Sequence, residues 1–298
     1  MKKIIYPFYN LFHRVIFFLF LSVSKTFHRR KNIRTGHISS EHLKNPVLDD
    51  KLSEELKQLG VEVNELKISK EEYLKYLSKA SYPENYYGGG KNPEMNFTEK
   101  TLEHFVSTLF IDFYPEMTFI DYAAATSPFS SIIKNIFGIS HFFCQDIIFE
   151  KGIHGNKIGG YPSDFQLPDN SVDAVTLHCS LEHFEGESDI DFFRSMEKML
   201  KPGGRIIVLP FYLAYEYTIH LDPAYNLLKF HSPETDHQAR IRYCNWKQFF
   251  SRHYSPQILY DRILSNCPGL KLTVYRVLNF REIDERCYLR FVGVFTKR

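Results

Sequence analysis

The sequence predicts an α/β domain: an open, mostly parallel sheet with helices on both faces, preceded by an added N-terminal helical region. Three observations carry this expectation. From residue 117 onward short apolar runs alternate with stretches of helical period, the pattern of successive β-α-β units. The strongest run, residues 172–179, is almost continuously apolar, as strands buried on both faces are. The chain then closes with a helix and two β-rich runs, bringing the expected strand count to seven in a doubly wound arrangement.

In chain order, residues 117–125 read as the first strand and its turn, 127–137 as a helix and 140–146 as the second strand. Residues 156–160 form a weak third strand and 172–179 the fourth. A helix over 190–200 places Ile190, Phe193, Met196 and Leu200 on one face, and 205–211 is the fifth strand. A helix near 256–265 and β runs at 270–280 and 287–296 complete the domain. Upstream, 49–59 reads as a helix with acids at its N-terminal end, where the dipole favours them. Residues 69–80 read as another, with Ser69 as N-cap and Glu72 three residues on. The aromatic loop 82–90 ends in Gly88-Gly89-Gly90, either a hinge beside a ligand or a plain connector, and 99–110 is a further helix. The division expected is a basic arm over 1–34, a helical region and linker over 35–97, and the α/β domain over 98–298 with an insertion at about 212–254.

Composition narrows the function. With 298 residues, 44% hydrophobic and 24% charged, the chain is globular rather than disordered or polytopic. The formal charge of +2 is too balanced for a protein that neutralises many phosphates. That balance is uneven along the chain: residues 1–34 hold eight Lys or Arg and no acid, which leaves −6 on the other 264. The acidic body argues against a nucleic-acid partner. Cys144, Cys179, Cys244, Cys267 and Cys287 are odd in number and show no metal-site spacing, so a reduced, cytoplasmic compartment and no metal are expected. Aromatics at 16% fit a lipid-handling surface or a codon bias.

The arm itself repeats apolar residues at helical spacing: Ile4, Phe8, Leu11, Phe12, Val15 and Leu19, with Asn10, His13 and Arg14 on the other side. Arg14 at mid-span and Pro7 disfavour a spanning helix. Basic residues at both ends describe a helix lying on the cytoplasmic face of an anionic membrane. Two other readings stand beside it. In one, Val15 to Leu21 is the apolar core of a signal peptide with Ser22-Val23-Ser24 at its cleavage site. In the other, the apolar face simply packs on the body.

In an open parallel sheet, ligands bind beyond the carboxyl ends of the strands. The residues there are Asp121 to Ser127, Asp146, Ser163-Asp164 and His178 to Phe184. Three acids at successive strand ends suit a ligand with hydroxyl donors and a positive centre, such as a nucleoside carrying a sulfonium. The stretches FIDYAAATSPF, FFCQDI, YPSDFQLPDNSVDAVTLHCSLEHF and FFRSMEKMLKPGGRIIVLPF, in that order, resemble the class I S-adenosylmethionine-dependent methyltransferases, particularly the type 11 group. The resemblance covers residues 100 to 298 and implies a Rossmann-like methyltransferase fold and S-adenosyl-L-methionine as cofactor. It implies that Asp164 meets the adenine, Asp146 the ribose hydroxyls and Asp121 the amino-acid end of the cofactor, with Ser163, Ala123, Ala125 and His178 also cofactor-binding and His178 near the transferred methyl.

The chain departs from that family at the first motif. Acid-x-Gly-x-Gly-x-Gly is replaced by Asp121-Tyr122-Ala123-Ala124-Ala125-Thr126-Ser127. A left-handed residue with a Cβ costs about 1–2 kcal/mol, so the loop is expected to be reshaped or more open. Ser127-Pro128 still suits the start of a helix aimed at an anion. Lys201-Pro202-Gly203-Gly204 is expected to terminate the preceding helix. His183, with Glu182 to orient it, is the candidate base; the alternative is that the pair only caps and positions a helix. The segment 212–254, rich in Tyr, His and Phe, is expected to be an acceptor-binding lid. His220, Asp222, His231, Asp236 and His237 within it match no standard ligand set. These features imply methyl transfer to a small-molecule, glycan or lipid-linked acceptor; the alternative is a non-catalytic scaffold with a degenerate cofactor loop.

Overall fold

The computed structural model describes residues 9–20, 47–87 and 96–298. Lys2, Lys3, Ile4, Phe8, the segment 21–34 with its basic cluster and small residues, and Gly88–Gly90 lie outside them. The elements in chain order are a helix α1 over residues 9–20, then α2 (Val47–Gln58), β1 (Glu62–Leu66), α3 (Lys70–Lys79), α4 (Phe97–Thr108) and β2 (Thr118–Asp121). There follow α5 (Phe129–Phe137), β3 (His141–Asp146), β4 (Gly152–His154), β5 (Lys157–Gly159), β6 (Val172–His178), α6 (Ser188–Met199) and β7 (Leu200–Leu209). Last come β8 (Thr218–Leu221), α7 (Pro223–Leu228), β9 (Arg240–Tyr243), β10 (Phe250–His253), α8 (Pro256–Arg262), β11 (Leu270–Val277), α9 (Phe280–Ile283) and β12 (Phe291–Lys297).

The main sheet runs β1-β11-β12-β7-β6-β2-β3-β5-β4. Its centre, β7-β6-β2-β3-β5, is parallel throughout, and β12 runs antiparallel between β7 and β11. The seven expected strands are thus present in the doubly wound order, with strand order reversing between β2 and β6. Two strands exceed the expected seven: β1, which extends the edge beside β11, and β4, a short antiparallel flap on β5. Since β1 joins the main sheet, residues 62–66 lie in the same layer as the α/β domain.

Alternate side chains supply two cores. Ile120, Val175, Ile206 and Val208 pack with Phe192, Phe193 and Met196 of α6 on one face. Phe119, Ala174, Ile207 and Leu209 pack with Leu102, Phe105 and Val106 of α4 and Ile132 and Ile133 of α5 on the other. This strict alternation in strands with no polar face is what two helical layers require.

Two local expectations are corrected. Lys201-Pro202-Gly203-Gly204 does not lie in the helix end: α6 stops at Met199, and these four residues open β7, with Gly203 at φ +79. The helix placed from 127 begins at Phe129, whose N–H donates to Ser127 Oγ at 3.2 Å.

The insertion closes at its base where Tyr254 N–H donates to Tyr212 O and Ala214 N–H to Tyr254 O, at 3.1 and 2.8 Å. Within it β10, β8 and β9 form a separate three-stranded sheet, so it is a small folded unit rather than a loop. Arg252, fully buried in β10, ties it to α6: its Nη1 lies 2.7 Å from Asp189 Oδ2, and Arg262 binds the same carboxylate. Helix α1 packs on the insertion. His13 Nε2 lies 2.9 Å from Asp222 Oδ2, Lys247 Nζ donates to Asn10 Oδ1 at 2.6 Å, and Phe20 meets Tyr243 edge-on at 4.9 Å.

Candidate active site

The carboxyl ends of β2, β3 and β6 converge beneath α4. Asp121, the last residue of β2, is 1% exposed; its Oδ1 accepts from Thr176 Oγ1 at 3.1 Å and from His178 Nδ1 at 3.3 Å. Its Oδ2 is buried with no hydrogen-bond partner among the described residues. Such an atom costs stability unless a donor meets it, so it points to a ligand.

The loop that follows corrects the sequence expectation. Ala123 and Ala125 hold φ values of 51° and 48°, the left-handed conformation that glycine adopts freely, so the Cβ atoms have not reshaped the turn. Fixed acceptors hold it. Ala123 N–H donates to Gln145 Oε1 at 2.9 Å, Ala124 N–H to Gln145 O at 2.9 Å, and Ala125 N–H to Asp146 Oδ2 at 2.7 Å. Gln145 Nε2 in turn donates to Gly160 O at 2.6 Å, which ties the ends of β2, β3 and β5 together. The buried carboxylate of Asp146 also accepts from Ile148 N–H at 3.0 Å, so it braces the loop while keeping a second lone pair on each oxygen.

Asp164 and Ser163 stand apart from this network. Asp164 accepts from Tyr161 N–H at 2.9 Å and from Lys151 Nζ at 2.8 Å, and the Lys151 ammonium holds its carboxyl below the usual range. Both line an open hollow of about 440 Å³ floored by Phe165 and Met199. Asp121 and Asp146 flank one loop, therefore, while Asp164 faces its own turn.

Beyond β6 the sheet end is unexpectedly polar. His178 lies 3.2 Å from Ser107 Oγ and packs edge-on against His104 and Phe129, each at 4.7 Å. Burial, then the neighbouring His178, pushes His104 far below its ordinary value, so it is neutral, with Tyr82 and Tyr86 stacked on it. Cys179, at φ 47°, meets Lys100 Nζ at 2.5 Å and Glu103 Oε1 at 3.2 Å, and Lys100 also donates to Glu103 at 2.9 Å. Burial and the Glu103 charge push the Cys179 thiol well up. Glu99, fully buried, is pushed up to about 8 by burial and by Glu103. Glu99 Oε1, Glu103 Oε2 and Ser180 Oγ are buried without a partner among the described residues.

Sequence reasoning missed Glu99, Lys100, Glu103 and His104. Polar residues at 100, 103, 104 and 107 recur at helical spacing and read as a solvated face; in the structure that face is turned onto the strand ends. The usable signal is that Leu102, Phe105 and Val106 make the opposite side of the same helix apolar, which leaves α4 no face for water.

Glu182 and His183 occupy the short turn after β6. Glu182 is buried, which raises its carboxyl, and lies 3.7 Å from His183 Nε2. His183 Nδ1 donates to Phe250 O at 2.6 Å, locking the ring to β10. The side chain is 40% exposed and lines a hollow of about 270 Å³ with Glu185, Tyr225, Lys247, Gln248, Phe249 and Phe250. Of the five insertion residues with metal-like side chains, Asp222 caps α7 through Tyr225 N–H, and His231 lies 2.7 Å from Glu185 Oε1. No group of three or more such side chains fit for a metal ion occurs among the described residues.

On this frame, residues 149–208, from the end of β3 to β7, match the family model of the methyltransferase domain. Over that stretch, about a fifth of the chain, the sequence is similar to the type 11 methyltransferases. Among curated proteins, the ubiquinone/menaquinone biosynthesis C-methyltransferase UbiE of Ectopseudomonas mendocina is 36% identical over 69 residues, 22% of this chain and 26% of that protein. The UbiE of Pseudomonas fluorescens matches to the same extent. The chain thus spans about a quarter of the length of the curated relatives it matches. Among solved structures, an S-adenosylmethionine-dependent methyltransferase from Mesorhizobium loti is 14% identical at TM-score 0.42, covering 66% of this chain and 98% of that one. The 1,6-didemethyltoxoflavin-N1-methyltransferase of Burkholderia thailandensis, solved with S-adenosylhomocysteine, is 11% identical at TM-score 0.43, covering 77% and 91%.

Proposed function

We propose that the protein is an S-adenosyl-L-methionine-dependent methyltransferase for a small-molecule acceptor. The observation that carries this reading is the alanine loop held in glycine-like geometry beside the unpartnered Asp121 Oδ2. The residues present fit the cofactor: the orphaned Asp121 Oδ2 and the Ala123–Ala125 turn would hold its amino-acid end, with His178 beside them, and the remaining lone pairs of Asp146 would accept from ribose hydroxyls. Ser163 and Asp164, expected at the adenine, line a separate hollow, with Asp164 held by Lys151. When bound, the cofactor supplies a methyl group on a cationic sulfonium, open to in-line attack by a positioned nucleophile.

The protein's own work is positioning and proton removal. With Nδ1–H fixed on the Phe250 carbonyl, His183 keeps Nε2, 3.7 Å from Glu182 Oε1, to take the acceptor's proton. The buried Glu182 beside it favours the imidazolium that results. The finer reading is a glycan or lipid-linked acceptor handled at the cytoplasmic face of a membrane, with residues 1–34 making a peripheral contact and no nucleic acid involved. No helix among the described residues is long and apolar enough to cross a membrane.

A second reading, a non-catalytic scaffold, is favoured by Asp146 bracing the loop and His183 clamping β10. Calorimetric titration with S-adenosylhomocysteine separates the two. Saturable heat that is strongly reduced in Asp146→Ala supports the enzyme. No heat at millimolar ligand with folded protein favours the scaffold.

A further inference from the structure

Helix α1 is docked by the face that its sequence marks as polar. Asn10, His13 and Phe17, spaced at three and four residues, point toward the insertion, with His13 at 2% and Phe17 at 5% exposure. Leu11, Phe12, Val15 and Leu19 point outward and are 46–60% exposed, with Arg14 beside them. The expectation that this apolar face packs on the body is therefore reversed. A second apolar element adjoins it: Leu227 is 62% exposed, and Phe230, held at φ 53°, is 97% exposed. Lys229 between them lies 5.6 Å above the Tyr9 ring of α1, so the two elements are neighbours.

We propose that the outer face of α1 and the Leu227–Phe230 tip form one lipid-facing surface that seats the insertion on an anionic bilayer. This rests on the reading of residues 1–34 as a membrane contact and adds the insertion to it. The occupant follows from charge and shape. Arg14 is exposed on the apolar side of α1 and Lys229 sits between Leu227 and Phe230, and the arm carries six more basic side chains, Lys2, Lys3, Lys25, Arg29, Arg30 and Lys31, before Arg34. Apolar side chains rimmed by cations are what a surface helix presents to acidic headgroups. A fully exposed Phe on a constrained turn has no packing role in the protein, and it inserts readily at an interface. The seat also orients the site, because the His183 hollow shares Tyr225 and Lys247 with the elements that hold α1.

The test is flotation of the full chain with phosphatidylcholine vesicles, with and without phosphatidylserine. Wild type is expected to float with the anionic vesicles and about tenfold less without phosphatidylserine. Leu227→Asp/Phe230→Asp and Leu11→Asp/Leu19→Asp are each expected to lower binding about tenfold or more, with unchanged circular dichroism because all four side chains are exposed. If only the α1 pair loses binding, the composite surface is overturned while the arm's membrane contact stands. If wild type fails to float, both fall. A lipid-independent dimer that the α1 pair dissociates assigns the face to a second copy and also overturns the proposal.

Discussion

Replacing Gln145 with Leu tests how the cofactor loop is held. The side chain is 1% exposed, its Oε1 accepts from Ala123 N–H at 2.9 Å and its Nε2 donates to Gly160 O at 2.6 Å. Leucine preserves volume and burial but strands one amide and one carbonyl, each costing about 1–3 kcal/mol when buried and unpaired. Relaxation of Ala123 from its left-handed conformation returns about 1 kcal/mol, so the expected net loss is about 1–5 kcal/mol. Urea unfolding is expected to show a lowered midpoint at constant slope, the mark of lost stability without a change in compactness. Because the loop faces Asp121, affinity for S-adenosylhomocysteine should fall about tenfold or more in the same variant. A loss below about 0.5 kcal/mol would refute the reasoning, since it would mean that the two bonds do not set the loop's conformation. Gln145→Glu, which sets a carboxylate against the Gly160 carbonyl, is expected to be no better than leucine.

Three further outcomes are expected. Ala125→Gly relieves the strain at φ 48° in an exposed residue and keeps the bond to Asp146, so stability holds or rises by up to about 1 kcal/mol in thermal unfolding; a comparable loss would contradict the strain. Glu99, raised to about 8 by burial, is protonated in the fold and ionised in the unfolded chain between about pH 4.5 and 8, so stability is full below that window and falls on the order of 2–4 kcal/mol as pH rises through it; Glu99→Gln should flatten the curve. Arg252→Met leaves Asp189 with only Arg262 and Tyr254, and should cost about 3 kcal/mol while speeding amide exchange across β8, β9 and β10; no change in exchange would separate the ion pair from the docking of the insertion.

The central strands were legible because burial on both faces makes them continuous apolar runs ended by Asp121, Asp146 and His178. β1 was not: Glu62-Val63-Asn64-Glu65-Leu66 has no strand-like apolar pattern, and its partner β11 lies some two hundred residues away. The insertion's strands are equally short and polar, and parallel β8 and β9 are joined through α7, so no local signal distinguishes them from a loop. The acids at the strand ends were visible, but their separation was not. That Asp146 turns back onto Ala125 while Asp164 takes Lys151 depends on loop paths that the residue types do not determine. The orientation of α1 was hidden for a related reason: the buried partner of His13 is Asp222, supplied by a segment far along the chain.

A crystal structure of the protein grown with S-adenosylhomocysteine bears most directly on the proposed chemistry. The ligand's amino-acid end is expected over the Ala123–Ala125 turn with a donor on Asp121 Oδ2, and its ribose hydroxyls on Asp146. Saturating ligand that leaves this turn empty, or that lodges elsewhere on the chain, would contradict the placement of the cofactor and with it the methyl-transfer reading.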